Sequence, residues 1–138
     1  MNRTKRFALT LGAIIVVTAL IIYYTQIQLP NTTINYGDIT VEEAKSLIES
    51  NVSLIILDVR TPEEYDSGHI KEAILIPISE LEGRLDELSK EEELLIYCRT
   101  GNRSTNSVNI LKANGYTKIF HMNNGITAWI QAGYPTVE

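Results

Sequence analysis

From residue 38 onward, short apolar runs alternate with stretches whose apolar residues recur at helical spacing. The apolar runs are continuous and cover residues 53–59, 73–78, 93–98 and 118–122. Between them the pattern predicts helices that begin near residues 40 and 61, and further helices over 79–90, 104–114 and 125–133. Continuous apolar strands separated by helices are typical of a parallel sheet that is buried on both faces. The pattern therefore predicts an α/β domain over residues 38–138.

Capping residues mark two of these helices. Thr40 is followed three residues later by Glu43, and Thr61 directly precedes Pro62 at the first helical position. In a parallel sheet, ligands bind beyond the carboxyl ends of the strands. Cys98 stands at this end of the run 93–98, which makes it a candidate for chemistry.

The N-terminal residues follow a different pattern. Residues 7–24 carry no charge and follow three basic residues, Arg3, Lys5 and Arg6. Eighteen helical residues cover about 27 Å, which predicts a transmembrane signal anchor. A signal peptide cleaved near Ala19 is the alternative, but the apolar residues that continue to Tyr24 favour the anchor.

The position of the basic residues predicts the topology of this anchor. By the positive-inside rule, residues 1–6 lie in the cytoplasm, residues 25–37 form a polar linker, and residues 38–138 lie outside the cytoplasm. Beyond residue 6, nine of the twelve Lys and Arg stand against seventeen Asp and Glu, a formal charge of −8. This acidic balance argues against nucleic acid as a partner. We therefore expect a single-pass protein of the cell membrane, with export after signal cleavage as the alternative.

Cys98 is the only cysteine, which excludes an intramolecular disulfide and argues against a zinc site. His69 and His121 are the only histidines, so we expect no metal centre. The residues that follow Cys98 combine two arginines, a glycine and the start of a predicted helix: Arg99, Thr100, Gly101, Asn102, Arg103 and Ser104. Backbone N–H groups at a helix start and nearby positive charges favour a thiolate. We therefore predict a lowered pKa for Cys98, with Arg103 closing the loop over the sulfur. The alternative is an inert buried cysteine.

The domain resembles the single-domain rhodanese family of sulfurtransferases in five motifs, which occur in the family's order. They are LDVRTPEEYDSGHI (57–70), AILIPISEL (73–81), IYCRTGNRS (96–104), LKANGY (111–116) and NGITAWIQAGYP (124–135). The resemblance implies a five-stranded parallel sheet flanked by helices on both faces. It also implies that a Cys98 persulfide carries a sulfane sulfur, without a cofactor, from thiosulfate or a persulfide donor to a thiol or cyanide acceptor. The predicted anchor would make the chain a membrane-bound member.

The resemblance assigns Cys98 as the catalytic nucleophile and Arg99 to Ser104 as the substrate-binding loop. It assigns Asp58 and Arg60 as structural support. Four residues separate Cys98 from Arg103, whereas phosphatases of this fold have five, and the shorter loop favours sulfur over phosphate. An extracytoplasmic sulfur-relay or redox-sensing module without turnover, with a membrane protein as candidate partner, stays open as the alternative.

Other notable side chains receive structural interpretations. The resemblance gives His69 the role of holding a turn, and we expect His121 to be inert at a strand end. Trp129 lies on an apolar helical face, which predicts core packing. Glu72 and Asn124 occupy positions where the family usually has glycine, and Asn tolerates positive φ better than most residues.

Overall fold

The computed structural model describes residues 14–23 and 34–138, which belong to two separate compact units, Met1–Thr33 and Ile34–Glu138. Residues 14–23 are helical, and their exposed side chains include eight large apolar ones: Ile14, Ile15, Val16, Val17, Leu20, Ile21, Ile22 and Tyr23. In these two described ranges, no helix has the length and hydropathy that crossing a membrane requires. The remainder of the predicted anchor, residues 7–13 and 24, lies outside the described residues.

Residues 34–138 contain one five-stranded sheet in which all neighbouring strands are parallel. Its strands are β1 (Gly37–Ile39), β2 (Ile55–Asp58), β3 (Ile74–Leu75), β4 (Leu94–Tyr97) and β5 (Ile119–Met122). The order across the sheet is β1-β5-β4-β2-β3. The strand that leads to Cys98 is therefore central, and the predicted parallel α/β architecture is confirmed.

Strand β1 was not predicted from the apolar pattern, because three residues that include a glycine and an aspartate do not form an apolar run. The strand pairs with β5 and places Asp38 beside His121 in the register. The compact unit starts at Ile34, within the range that the sequence analysis gave to the linker.

Four α-helices cover the sheet: α1 (Val41–Ser50), α2 (Pro62–Asp66), α3 (Asn102–Ala113) and α4 (Gly125–Gln131). Thr40 and Thr61 cap α1 and α2, as predicted, and Thr61 also forms a complete capping box with Glu64, which was not predicted. The helix predicted over 79–90 is wrong, because two 3-10 turns, Leu81–Gly83 and Leu85–Glu87, stand there. Gly83 has low helix propensity, and short turns suffice to bury the leucines at 81 and 88.

Each face of the sheet carries its own hydrophobic core. Side chains of α1 and α4, among them Ala44, Leu47 and Trp129, pack on one face. Side chains of α3 and the 3-10 turns, among them Leu81 and Leu111, pack on the other. Trp129 is buried, as predicted, and its Nε1–H donates to the Pro135 carbonyl at 2.9 Å. Both faces of the central strand are therefore fixed, which holds the loop after β4 in one place.

The two positions where the family usually has glycine differ in their backbone. Glu72 has φ 67°, in the left-handed region that costs a residue with a Cβ. Asn124 has φ −90°, so it makes no use of the tolerance that the sequence analysis invoked. The positive φ in this turn belongs to Gly125, at 64°.

Candidate active site

Cys98 directly follows β4 and is almost fully buried, with 1% of its surface exposed. The backbone N–H of Gly101 donates to Sγ at 3.1 Å, and the Ser104 hydroxyl lies 3.4 Å from the same sulfur. Burial acts to raise the pKa of the Cys98 thiol, but it is outweighed by hydrogen bonds from the Ser104 hydroxyl and from the N–H groups of Ser104, Gly101 and Thr100. The net pKa is lowered, in the predicted direction, so the loop favours a thiolate.

Close backbone packing gives this loop its shape. Gly101 has φ 105°, and a Cβ at this position would lie 1.9 Å from the Asn123 carbonyl oxygen. A Cβ on Gly125 would lie 2.4 Å from the Arg99 carbonyl oxygen. Only glycine permits these approaches, so both positions are needed to seat the loop against the turn between β5 and α4.

The first turn of α4 also orients the loop through hydrogen bonds. The N–H of Ile126 donates to the Cys98 carbonyl at 2.8 Å, and the N–H of Thr127 donates to the Arg99 carbonyl at 3.1 Å. Helix N-termini have unpaired N–H groups that can donate hydrogen bonds to such carbonyls. These two carbonyls are therefore paired with α4, while N–H groups of the same loop bond to the sulfur.

Arg103 hydrogen-bonds to Glu64 on α2, a partner that the sequence analysis did not expect, and not to the sulfur of Cys98. Its guanidinium forms two hydrogen bonds to the Glu64 carboxylate, at 2.6 and 2.8 Å. A bidentate ion pair of this kind satisfies the planar guanidinium, so the side chain is directed to α2. The pair holds the pKa of Glu64 down to about 2. Arg103 therefore braces the loop, and its charge still acts on Cys98 at longer range.

Sequence reasoning missed Glu64 as part of the site. Its carboxylate also accepts from the N–H of Thr61 at 3.1 Å, which closes the capping box of α2. The three-residue spacing from Thr61 to Glu64 is a signal that could have indicated this second bond, but no local pattern pairs positions 64 and 103, which lie 39 residues apart.

The Asp58 and Arg60 side chains form a buried ion pair at the end of β2. Arg60 Nε and Nη2 donate to the Asp58 carboxylate at 2.7 to 3.0 Å, and Nη2 also donates to the Gly68 carbonyl at 2.9 Å. The pair ties the strand end to the turn after α2. His69 extends this turn by stacking on Tyr65 with ring centroids 3.6 Å apart. These contacts suit structural support.

A cleft of about 490 Å³ lies beside the loop. It is lined by residues of α2, its flanking turns, the loop and α4: Arg60, Glu63, Glu64, Ser67, Gly68, Arg99, Ile126, Thr127 and Ile130. Arg99 is exposed here, where its charge can attract an anion from solvent. Thr100 and Asn102 are also exposed on the outer side of the loop.

His121 is not isolated, contrary to the expectation from the sequence. It is 3% exposed, its Nε2 lies 2.8 Å from Ser104 Oγ, and its Nδ1 lies 2.7 Å from an oxygen of Asp38. The sequence analysis also missed Asp38, because the pairing of β1 with β5 is a long-range contact. In the described parts of the chain, no group of three or more His, Cys, Asp or Glu side chains is placed to hold a metal ion.

Comparisons with known proteins agree on one family. The family model described as Rhodanese-like domain matches residues 40–132, which include the whole Cys98 loop. A sulfurtransferase of Allochromatium vinosum is 31% identical over 101 residues, which make up 73% of this chain and 94% of that protein. YrkF of Bacillus subtilis, named as a sulfur carrier protein, is 37% identical over 92 residues, which are 67% of this chain and only 50% of its own length. A solved structure of a rhodanese-related protein from Thermoplasma volcanium has 35% identity and a TM-score of 0.67, over 74% of this chain and 98% of that one.

Proposed function

We propose that this chain, which belongs to the rhodanese-like domain family, transfers a sulfane sulfur through a persulfide on Cys98. The observation that carries the proposal is the cradle around Sγ, in which the Gly101 N–H and the Ser104 hydroxyl lie 3.1 and 3.4 Å from the sulfur. The related sulfurtransferase and sulfur carrier support sulfur transfer as the general activity. The donor, the acceptor and the persulfide are the further content of the proposal.

The reaction proceeds in two displacements at sulfur. The Cys98 thiolate attacks the outer sulfur of thiosulfate, the S–S bond of the donor breaks, and sulfite leaves with the electron pair. The product is Cys98–S–S⁻, whose terminal charge the loop N–H groups stabilise as they stabilise the thiolate. A thiolate or cyanide then attacks the terminal sulfur, and the Cys98 thiolate returns. Atoms and charges balance in each step.

The geometry favours sulfur over phosphate as the transferred group. Cys98 has 1% of its surface exposed, so a narrow terminal sulfur suits its surroundings better than a tetrahedral phosphate. Both terminal nitrogens of the Arg103 guanidinium are already bonded to the Glu64 carboxylate, so a phosphate would have to compete with this ion pair for Arg103. Arg99 is exposed beside the cleft and is proposed to attract an anionic donor.

Mass spectrometry of the full chain after exposure to thiosulfate tests the persulfide directly. We expect a mass increase of one sulfur atom, which cyanide removes as thiocyanate and which is absent in Cys98→Ser. The matched control is Ser107→Ala, which removes a hydroxyl on α3 that donates to the Arg103 carbonyl. This variant should gain the same mass as the wild type. No adduct from thiosulfate or from a persulfide donor would refute the proposal.

A sulfur carrier without turnover is the second candidate, favoured by the near-complete burial of Cys98 and by the likeness to YrkF. The two candidates differ in stoichiometry. An enzyme releases many thiocyanate molecules per chain when thiosulfate and cyanide are in excess, whereas a carrier without turnover releases one. A redox-sensing module would instead show Cys98 oxidation without persulfide formation.

We also propose that residues 7–24 anchor the chain in the cell membrane, with residues 1–6 in the cytoplasm and the domain outside. This proposal rests on the uncharged run and on the three basic residues that precede it. Protease added to intact cells should digest the domain, and the protein should stay with membranes after alkaline extraction. Protection from protease would refute the orientation, and release into the soluble fraction would refute the anchor.

A further inference from the structure

Three successive hydrogen-bond contacts connect the Cys98 thiol to an exposed carboxylate at the edge of the sheet. Sγ lies 3.4 Å from Ser104 Oγ, Oγ lies 2.8 Å from His121 Nε2, and Nδ1 of the same ring lies 2.7 Å from Asp38 Oδ1. Cys98, Ser104 and His121 are all buried, whereas the Asp38 side chain is 66% exposed. The proposed sulfur chemistry uses only the first of these contacts.

The chemistry of the groups sets the direction of each hydrogen bond. An ionised carboxylate only accepts, so Nδ1 of His121 carries the hydrogen that Asp38 receives. In the neutral ring, Nε2 is then an acceptor, and the Ser104 hydroxyl donates to it. The oxygen of this hydroxyl can in turn accept from the S–H of Cys98. All three bonds are satisfied with the proton on sulfur.

We propose that two positioning residues act through Ser104: His121 takes up the proton of the Cys98 thiol, and Asp38 holds the His121 ring. The proposal rests on the proposed function in that it takes Cys98 as the reacting group. The S–H bond breaks and its proton moves to Ser104 Oγ, while the proton of this hydroxyl moves to His121 Nε2. A neutral thiol and imidazole become a thiolate and an imidazolium, and no charge is gained or lost.

The product state is also fully hydrogen-bonded. The imidazolium Nε2–H donates to Ser104 Oγ, which turns the hydroxyl proton toward the thiolate of Cys98. Asp38 faces the imidazolium as a carboxylate, and its bond to His121 lowers the pKa of this carboxyl. The carboxylate therefore keeps its hydrogen bond from Nδ1 both before and after the proton transfer.

Other groups around this path act in the same electrostatic balance. Arg103 on α3 places a positive charge that acts on Cys98, and Lys112 on the same helix acts on Asp38. The Asn123 amide donates to Asp38 at 3.4 Å. The Ser104 hydroxyl also lies 2.9 Å from the Gly101 carbonyl. Without the histidine, the hydroxyl can donate to this carbonyl and leave the sulfur with one fewer donor.

The pH dependence of Cys98 alkylation tests the proposal in the full chain, because this thiol is the only one present. Iodoacetamide is the probe, and Asp38→Asn and His121→Gln are the variants. We expect the pKa of Cys98 to rise by about one pH unit in each, which reduces the thiolate about tenfold below the pKa. A more basic thiolate is intrinsically more nucleophilic, so the observed rate should fall about three- to fourfold. Above both pKa values, the variants should react faster than the wild type.

Two controls match these variants. His69→Gln replaces the other histidine, whose Nδ1 bonds to the Tyr65 carbonyl. Asp86→Asn removes one exposed carboxylate from the second 3-10 turn. In both controls the alkylation of Cys98 should depend on pH as it does in the wild type. Since Asp38 is exposed, its variant gives a result even if the buried His121→Gln fails to fold.

The outcomes separate this proposal from the proposed function. Alkylation needs no sulfur donor, so wild-type protein that forms no persulfide would refute the function while the titration still tests the relay. Wild-type sulfur transfer combined with an unchanged Cys98 titration in Asp38→Asn would overturn the relay alone. An alkylation rate that is lower than that of the wild type by the same factor at every pH would also overturn the relay, because this result indicates a purely structural role.

Discussion

The ion pair between Glu64 and Arg103 should make the stability of the domain sensitive to acid, and Glu64→Gln tests this. The two hydrogen bonds of the pair join α2 to the start of α3, so they fix the loop between Cys98 and Arg103 from its outer side. The substitution keeps the size of the side chain and removes its charge.

The lowered pKa sets the magnitude of the effect. The hydrogen bonds from Arg103 move the pKa of Glu64 from its usual 4.5 to about 2, and this difference corresponds to about 3 kcal/mol as an upper bound. The Arg103 and Glu64 side chains are 32% and 27% exposed, and solvent screening reduces the contribution to about 1–2 kcal/mol. A carboxyl whose pKa is lowered by folding stabilises the protein above its unfolded pKa. This stabilisation disappears as the pH falls from about 4.5 to about 2.

Urea denaturation of wild type and Glu64→Gln at several pH values between 7 and 3 measures this contribution. At pH 7 the free energy of unfolding of the variant should be about 1–2 kcal/mol lower than that of the wild type, and this difference should shrink as the pH falls from about 4.5 toward 3. Glu92→Gln, which removes an exposed carboxylate elsewhere, should follow the wild type. Parallel curves for wild type and Glu64→Gln over the whole range would show that the ion pair does not stabilise the fold.

Three positions with positive φ give further predictions, each measured by chemical denaturation. Gly125→Ala should lower the free energy of unfolding by about 2 kcal/mol or more and slow Cys98 alkylation, because its Cβ would meet the backbone of Arg99. Gly133→Ala, with positive φ but open space, should cost about 1 kcal/mol and leave alkylation unchanged, so equal losses in the two variants would argue against the close packing. Glu72→Gly should stabilise the domain by about 0.5–1 kcal/mol, since relief of the left-handed backbone outweighs the entropy of glycine; a less stable variant would contradict this account.

The sequence predicted those parts of the fold that depend on local signals. The helix caps at Thr40 and Thr61 and the four apolar runs depend on neighbouring residues, and the structure shows these caps and a strand within each run. The resemblance implied five strands, but the residues of β1 form no apolar run that would locate the fifth one. The helix over 79–90 failed because leucine spacing alone cannot distinguish one α-helix from two 3-10 turns around Gly83.

The candidate site divides in the same way. The position of Cys98 at the end of a central strand and the direction of its pKa follow from the local motif. The partners of the loop do not, because Glu64, Asp38 and His121 approach it across the fold. Arg103 was assigned to the sulfur because only the loop was considered, and the carboxylate that competes for it lies on another helix.

The hydrogen bonds between the loop carbonyls and α4 help to offset the cost of burying Cys98. A thiol removed from water resists ionisation, and burial is the largest single influence on the pKa of Cys98. The backbone of the same loop has as many C=O groups as N–H groups. A thiolate is therefore stabilised only if the N–H groups bond to it and the carbonyls bond elsewhere. The N-terminus of α4 donates hydrogen bonds to the Cys98 and Arg99 carbonyls, and Gly125 lets the two backbones come this close. The reactivity of the thiol therefore depends on α4, which bonds to the carbonyls of the loop and not to the sulfur. Loss of these two hydrogen bonds should weaken sulfur transfer before it unfolds the sheet.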